Sequence, residues 1–248
     1  MQRVFSIGRP VPLILLVLLT ITGCGGVADH GRVALFNGRD TSGWRPCFSR
    51  QNRWQVVRSV EWNSGSPDQL TLHPGSGILV NGPSGKIPDI CTVQEFGDCE
   101  VHLEFMVAQH SNSGVYLMGE YEIQIFDSYG RQNVSYEDCG GIYAYWRDGH
   151  TYGGTAPRTN ASRPPGEWQT FDIVLRAPRF DDSGQKTENA RLIRVMHNGT
   201  LIHENVTLET WTAGPLVTPE RARGPLRLQG DHGQVAFRNI WIRPLHLP

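Results

Sequence analysis

Helical periodicity is scarce in this sequence. Beyond the first two dozen residues, almost no window repeats apolar side chains at the three- and four-residue spacing of an amphipathic helix. Long apolar runs are scarce too. The run from Val11 to Leu19 falls short of the about 20 residues a spanning helix needs, and no second such stretch follows. Positive charge is not in excess, with 23 Lys and Arg against 24 Asp and Glu. That balance excludes the basic footprint of a nucleic-acid-binding domain. Cysteine is sparse, five residues in 248, and no two sit at C-x-x-C spacing, which argues against a zinc site. Neither an internal repeat nor an interdomain linker is visible.

The segment that opens the chain has its own character. Met1 to Arg9 carries Arg3 and Arg9 and no acid, and the apolar run follows. This is the layout of a signal peptide, which is set aside from fold reasoning. Small residues then precede a cysteine, in Ile21-Thr22-Gly23-Cys24. They resemble the lipobox of bacterial lipoproteins, in which the cysteine becomes the lipidated N-terminus. The resemblance implies a signal peptide over 1–23, a lipid anchor on Cys24, a tether over 24–32 and a globular domain over 33–248. Gly25, rather than Asp, after the cysteine implies by known sorting rules a place in the cell envelope, on the outer membrane facing the periplasm. Without Arg3 and Arg9, 21 basic residues face 24 acids, a net charge of −3.

Four cysteines remain, Cys47, Cys91, Cys99 and Cys139. An exported chain keeps disulfides, and four cysteines leave three pairings open. Cys91 and Cys99 flank the turn-like Glu95-Phe96-Gly97-Asp98, so a bridge across a hairpin is one expectation.

Glycine and proline are plentiful, and strand signals recur between them. Val101, Leu103, Phe105 and Val107 alternate with polar neighbours and Met106 over 100–107. Phe171, Ile173 and Leu175 share one face over 169–175. Residues 191–196 and 200–206 flank Asn198-Gly199, a strong hairpin signal, and a last strand is expected over 234–242. Many short strands broken by Gly, Pro and Asn turns point to an all-β sandwich or jelly roll. Long loops are expected at 59–67, 129–138 and 149–165. Trp44, Trp54, Trp168 and Trp241 read as core.

The segment richest in chemistry runs from Asn112 to Asp127. In a strand, Glu122 and Gln124 share one face about 7 Å apart, while Tyr121, Ile123 and Ile125 take the other. Asp127 is out of phase, and a β-bulge near Phe126 would bring it onto that face. Clustered carboxylates repel unless they serve a ligand, proton or metal. The E-x-Q-x-x-D spacing is similar to the E-x-D-x-x-E strand of laminarinase-type β-glucanases. Here, however, Asp127 is one methylene shorter and Gln124 replaces the assisting aspartate. His232, in a turn before the last strand, is a candidate proton shuttle. Glu104 would face the cleft beside Glu122 if their strands were neighbours. Asn112 is a candidate substrate contact, and Tyr143, Tyr145 and Trp146 are candidate stacking rings for sugars.

A family resemblance covers nearly all of 33–248. Leu35-Phe-Asn-Gly-Arg-Asp-Thr-Ser-Gly-Trp44 resembles the opening of the 3-keto-disaccharide hydrolase domain, and Trp54-Gln-Val-Val57 its next strand. Phe96 to Phe105, Asn112 to Tyr116, Tyr121 to Ile125, Gly141-Ile-Tyr143, Pro165 to Trp168, His197-Asn-Gly199 and Phe237 to Ile240 follow in family order. Met118 departs from an Arg common in relatives. The resemblance implies a concanavalin A-like jelly-roll β-sandwich acting on 3-keto-glycosides or disaccharides. It also implies an upstream sugar 3-oxidoreductase that makes the ketone. On this reading Glu122 is the base that removes the proton next to the ketone, and Asp127 an acid or metal ligand. Gln124 holds a hydroxyl or steadies the enolate. Glu122 and Asp127 are also the hard ligands expected for a divalent cation such as Ca²⁺, Mg²⁺ or Mn²⁺. Two rivals stand beside it: a non-catalytic carbohydrate-binding lipoprotein, and a retaining glycosidase with Glu122 and Asp127 as its pair.

Overall fold

The computed structural model describes Met1 and residues 31–248. The signal peptide, the Cys24 anchor and nearly all of the tether lie outside the described residues. In chain order the strands are β1 (Val33–Ala34), β2 (Trp44–Pro46), β3 (Gln55–Trp62), β4 (Leu70–Val80), β5 (Ile90–Phe96), β6 (Cys99–Val107), β7 (Asn112–Leu117), β8 (Tyr121–Phe126), β9 (Tyr145–Arg147), β10 (His150–Tyr152), β11 (Gln169–Arg176), β12 (Arg179–Phe180), β13 (Lys186–Glu188), β14 (Ala190–His197), β15 (Thr200–Leu208), β16 (Gly224–Leu228) and β17 (Val235–Pro244). Among the described residues there is no helix.

The strands pack as a concanavalin A-like jelly-roll sandwich. The larger sheet has eight strands in the order β15-β14-β11-β6-β17-β4-β3, with β1 added on β17. The smaller has five, in the order β2-β5-β16-β7-β8. Alternation explains the layering. Val101, Leu103 and Phe105 from β6, Phe171 and Ile173 from β11, and Tyr121, Ile123 and Ile125 from β8 all meet in one core, fully buried. The intervening polar residues point outward from each sheet. The Asn198-Gly199 signal is confirmed: His197 pairs with Thr200, and both turn residues take positive φ, 50° and 77°.

Several expectations are corrected. Ser59 is not in a loop, because β3 runs on to Trp62. The expected loop over 149–165 opens with a short strand, β10, that pairs with β9. Trp44 and Trp54 are core, but Trp168 is only partly buried and Trp241 lies on the outer face of the large sheet, stacked on His102 at 5.2 Å. No Cys91–Cys99 bridge forms. The turn at Gly97-Asp98 carries the chain from one sheet to the other, so β5 and β6 are not hairpin partners. Instead Cys91 is bonded to Cys47, just beyond β2, its neighbour in the small sheet. Cys99 and Cys139 are buried thiols.

Candidate active site

The outer face of the small sheet holds the site. β7 and β8 pair in unbroken register, with Tyr116 opposite Glu122, Gly114 opposite Gln124 and Asn112 opposite Phe126. β16 continues the array on the other side. Arg227 pairs with Tyr116, and the Gln229 amide N–H donates to the Gly114 carbonyl at 3.0 Å. Two rows therefore cross three strands side by side. One reads Arg227, Tyr116, Glu122; the other reads Gln229, Gly114, Gln124. Alternation supplies the outward aim of each, because Val115, Ile123 and Leu228 between them are locked in the core.

Glu122 is the centre of this array. It is 3 % exposed, and burial lifts its carboxyl to about 8, against the pull of a Tyr116 hydrogen bond and the Arg227 charge. Its carboxylate leans over Gly114: a Cβ built on that glycine would come within 2.2 Å of Glu122 Oε1. Glycine at 114 is thus what makes room for the carboxyl. The Glu122 backbone is fixed at both ends, its N–H donating to Thr212 Oγ1 at 3.0 Å and its carbonyl accepting from the Tyr143 N–H at 3.2 Å.

Arg227 supplies a buried cation. It donates to Asp89 at 2.6 Å and to the Gly214 carbonyl at 2.5 Å. Its guanidinium lies 4.0 Å from the Tyr116 ring centre and 4.8 Å from that of Phe48. Asp89 also accepts the Gly230 N–H at 2.9 Å, and burial still pushes its carboxyl above the ordinary range. Burial and the nearby Glu122 hold the Tyr116 hydroxyl well above its ordinary value, so it stays a proton donor.

Two buried acceptors in the second row have no partner. They are Gln124 Oε1 and Gln229 Oε1. Gln124 is oriented by its other end, Nε2 donating to the Glu137 carbonyl at 3.3 Å, while Gly140 and Gly141 pair with its backbone. An unsatisfied buried acceptor costs free energy, and two of them beside a raised carboxyl suit a ligand that brings hydroxyl donors.

The structure places the other predicted residues as follows. Asn112 begins β7 on the same face, and its N–H donates to the His232 carbonyl at 3.3 Å. His232 stands exposed at that rim, its ring bonded to Asp231. Tyr143 is half-buried, edge-on to Tyr136 at 5.6 Å, and burial and Glu122 raise its hydroxyl. Tyr145 is buried, and Trp146 is 49 % exposed on the β9–β10 hairpin. Asp127 does not join Glu122. The β7–β8 ladder has no bulge, so Asp127 stays out of phase, and its Oδ2 accepts the His110 N–H at 3.0 Å. The Glu122–Asp127 pair therefore does not fit a shared cation, and among the described residues no three His, Cys, Asp or Glu converge for one. Glu104 is on the opposite side of the sandwich. It points out from the large sheet and accepts from Arg238 at 2.6 Å. Met118 is buried in the core, away from the polar face.

Sequence reasoning passed over Tyr116, Arg227, Asp89 and Gln229. The alternation of Arg227 and Gln229 around Leu228 was a usable signal, but β16 is a short strand with proline in it. Nothing in the sequence pairs it with β7.

Residues 31–243 match the family model of the 3-keto-alpha-glucoside-1,2-lyase-like domain. Among solved structures, a proposed glycosyl hydrolase from Parabacteroides distasonis is similar at 28 % identity and TM-score 0.63, over 87 % of this chain and 84 % of that one. A second proposed glycosyl hydrolase from the same organism shares the fold, at 19 % identity and TM-score 0.57, over 88 % and 95 %. No curated protein matches the chain.

Proposed function

The chain belongs to the 3-keto-alpha-glucoside-1,2-lyase-like domain family, a carbohydrate-active family, and from that premise we propose that it cleaves 3-keto-glycosides by elimination across C1 and C2. The observation that carries this reading is Glu122: a buried carboxyl poised at about 8, set opposite Tyr116 and flanked by two amide acceptors that lack partners.

A ketone at C3 acidifies the proton on C2. Ionised Glu122 removes that proton, and the C–H electron pair becomes an enolate. Burial makes the carboxylate a stronger base than an exposed one, which matches it better to a weak carbon acid. The Arg227 cation and the Tyr116 hydroxyl stabilise the negative charge without having to reorganise, since Asp89, Gly214 and two rings already hold the guanidinium. The enolate collapses, the C1–O bond breaks, and protonated Glu122 returns its proton to the departing oxygen. Addition of water across the new double bond completes net hydrolysis; without it the reaction ends as a lyase. Gln124 and Gln229 accept sugar hydroxyls and fix the ring over Gly114. Asp127 has no part in this scheme, because it is committed to the His110 turn.

The test is release of the aglycone from 3-keto-glucosides of both anomers beside their unoxidised parents, for the wild type and Glu122→Gln. Release from the keto form alone, lost in the variant, supports elimination. Release from the parent points to an ordinary glycosidase. Binding without release from either makes the protein a carbohydrate-binding lipoprotein. The lipid anchor on Cys24 belongs to the same proposal. It predicts incorporation of labelled palmitate that Cys24→Ser abolishes, with the protein recovered in the outer-membrane fraction.

A further inference from the structure

Phe48 is 61 % exposed, so most of its ring is open to solvent. It follows β2, at the edge of the small sheet, and one of its faces rests on the Arg227 guanidinium at 4.8 Å. Arg227 in turn rests on Tyr116 at 4.0 Å, and Tyr116 stands directly opposite Glu122 in the β7–β8 ladder. Phe48, Arg227, Tyr116 and Glu122 therefore form a line across the sheet, with the base at one end and an exposed ring at the other. Strands lie about 4.8 Å apart, so the ring stands beyond the space a single sugar fills over Gly114.

The segment carrying Phe48 is pinned. The adjacent Cys47 is bonded to Cys91 on β5, and its N–H donates to the Asp89 carbonyl at 3.0 Å. Asp89 is the residue that holds Arg227. One short stretch thus ties both the ring and the cation to β5. A loop residue beyond an edge strand would otherwise lose its place readily, since the next residues, Ser49 to Arg53, are exposed and outside any strand.

We propose that Phe48 is the platform for the leaving group, stacking on the apolar face of the sugar or aryl ring attached at C1, and that the Cys47–Cys91 disulfide is its positioning device. The inference rests on the elimination reading for the place of C1, but not for the stacking itself. Aromatic stacking of this kind is worth about 1 kcal/mol, a factor of roughly five in binding.

Kinetics on two 3-keto-glucosides test it, one with a methyl leaving group and one with a glucosyl leaving group. Phe48→Ala is expected to raise the KM for the disaccharide about fivefold more than that for the methyl glycoside. Phe48→Trp should restore the ratio, and Cys47→Ser with Cys91→Ser should move it the same way as Phe48→Ala but by less. Thermal melts of each variant report whether the fold survives. Equal changes on both substrates, or no change on either, overturn the platform. If the wild type cleaves neither compound, the elimination reading has failed, and calorimetric binding of unoxidised disaccharide and methyl glucoside takes over as the readout. There, a loss of the disaccharide's advantage in Phe48→Ala supports the platform, and an unaltered advantage sinks it.

Discussion

Two strands of this molecule carry nearly the same message and end in opposite chemistry. In β6 Glu104 lies between Leu103 and Phe105; in β8 Glu122 lies between Tyr121 and Ile123. Both point outward, and each has an arginine and aromatic rings nearby. Glu104 meets its arginine directly: Arg238 and Asn239 both donate to it, and they hold its carboxyl below the ordinary range against a burial that tends to raise it. Arg238 itself stacks on Trp168 at 4.0 Å. Glu122 is denied its arginine, because Asp89 has taken Arg227. It is also more deeply covered, and its carboxyl rises to about 8. The contrast shows that an acid becomes a base candidate when its natural counter-ion is spoken for and water is removed.

That contrast can be broken by mutation. The largest effect is expected for Glu122→Gln, which should lower turnover of the 3-keto-glycoside by about 10³, within the range for loss of a general base. Glu104→Gln should leave kcat within about twofold, since the mechanism does not reach the large sheet; a loss near that of Glu122→Gln would mean the wrong face has been chosen. Arg227→Lys keeps the charge but loses the fork held by Asp89 and Gly214, and should lower kcat by about 10².

The pH dependence sharpens the same comparison. Glu122 must be ionised to act, so kcat/KM should rise with pH through about 8 and then level. The Tyr116 hydrogen bond lowers the Glu122 value, so Tyr116→Phe should push that limb to higher pH. Stability runs the other way. The folded carboxyls of Glu120 and Glu122 lie at about 8, above their ordinary 4.5. Folding therefore favours their protonated forms. Their contribution is complete below 4.5 and is lost as pH rises through about 8. Melting temperatures of Glu122→Gln should exceed those of the wild type on the alkaline side and converge with them on the acid side; a constant offset would refute the assignment.

The smallest effect concerns the glycine under the carboxyl. Gly114→Ala forces Glu122 aside and should cost stability by about 1–3 kcal/mol, as overpacking does. It should also cost activity, whereas Gly184→Ala, in open space on an exposed turn, should spare activity.

Much of this was legible in the chain. Alternation over β6, β8, β11, β14 and β17 determined the sandwich, because a strand with one apolar face has to bury it. The same alternation put Glu122 and Gln124 on a shared outward face before any partner was known. Asn198-Gly199 determined a hairpin, because both residues tolerate positive φ. Strand pairing was decided elsewhere. Register between β16, β7 and β8 places Arg227 and Gln229 more than a hundred residues from the side chains they flank. Sheet membership separates Cys91 from Cys99 across a turn and joins it to Cys47. A regular β8, with the slip in β17 between Arg238 and Trp241 instead, keeps Asp127 away from the base. Local pattern reports which way a side chain faces. Which charges meet, and which are left dry and unpaired, depends on contacts between distant segments, and only the folded chain makes them.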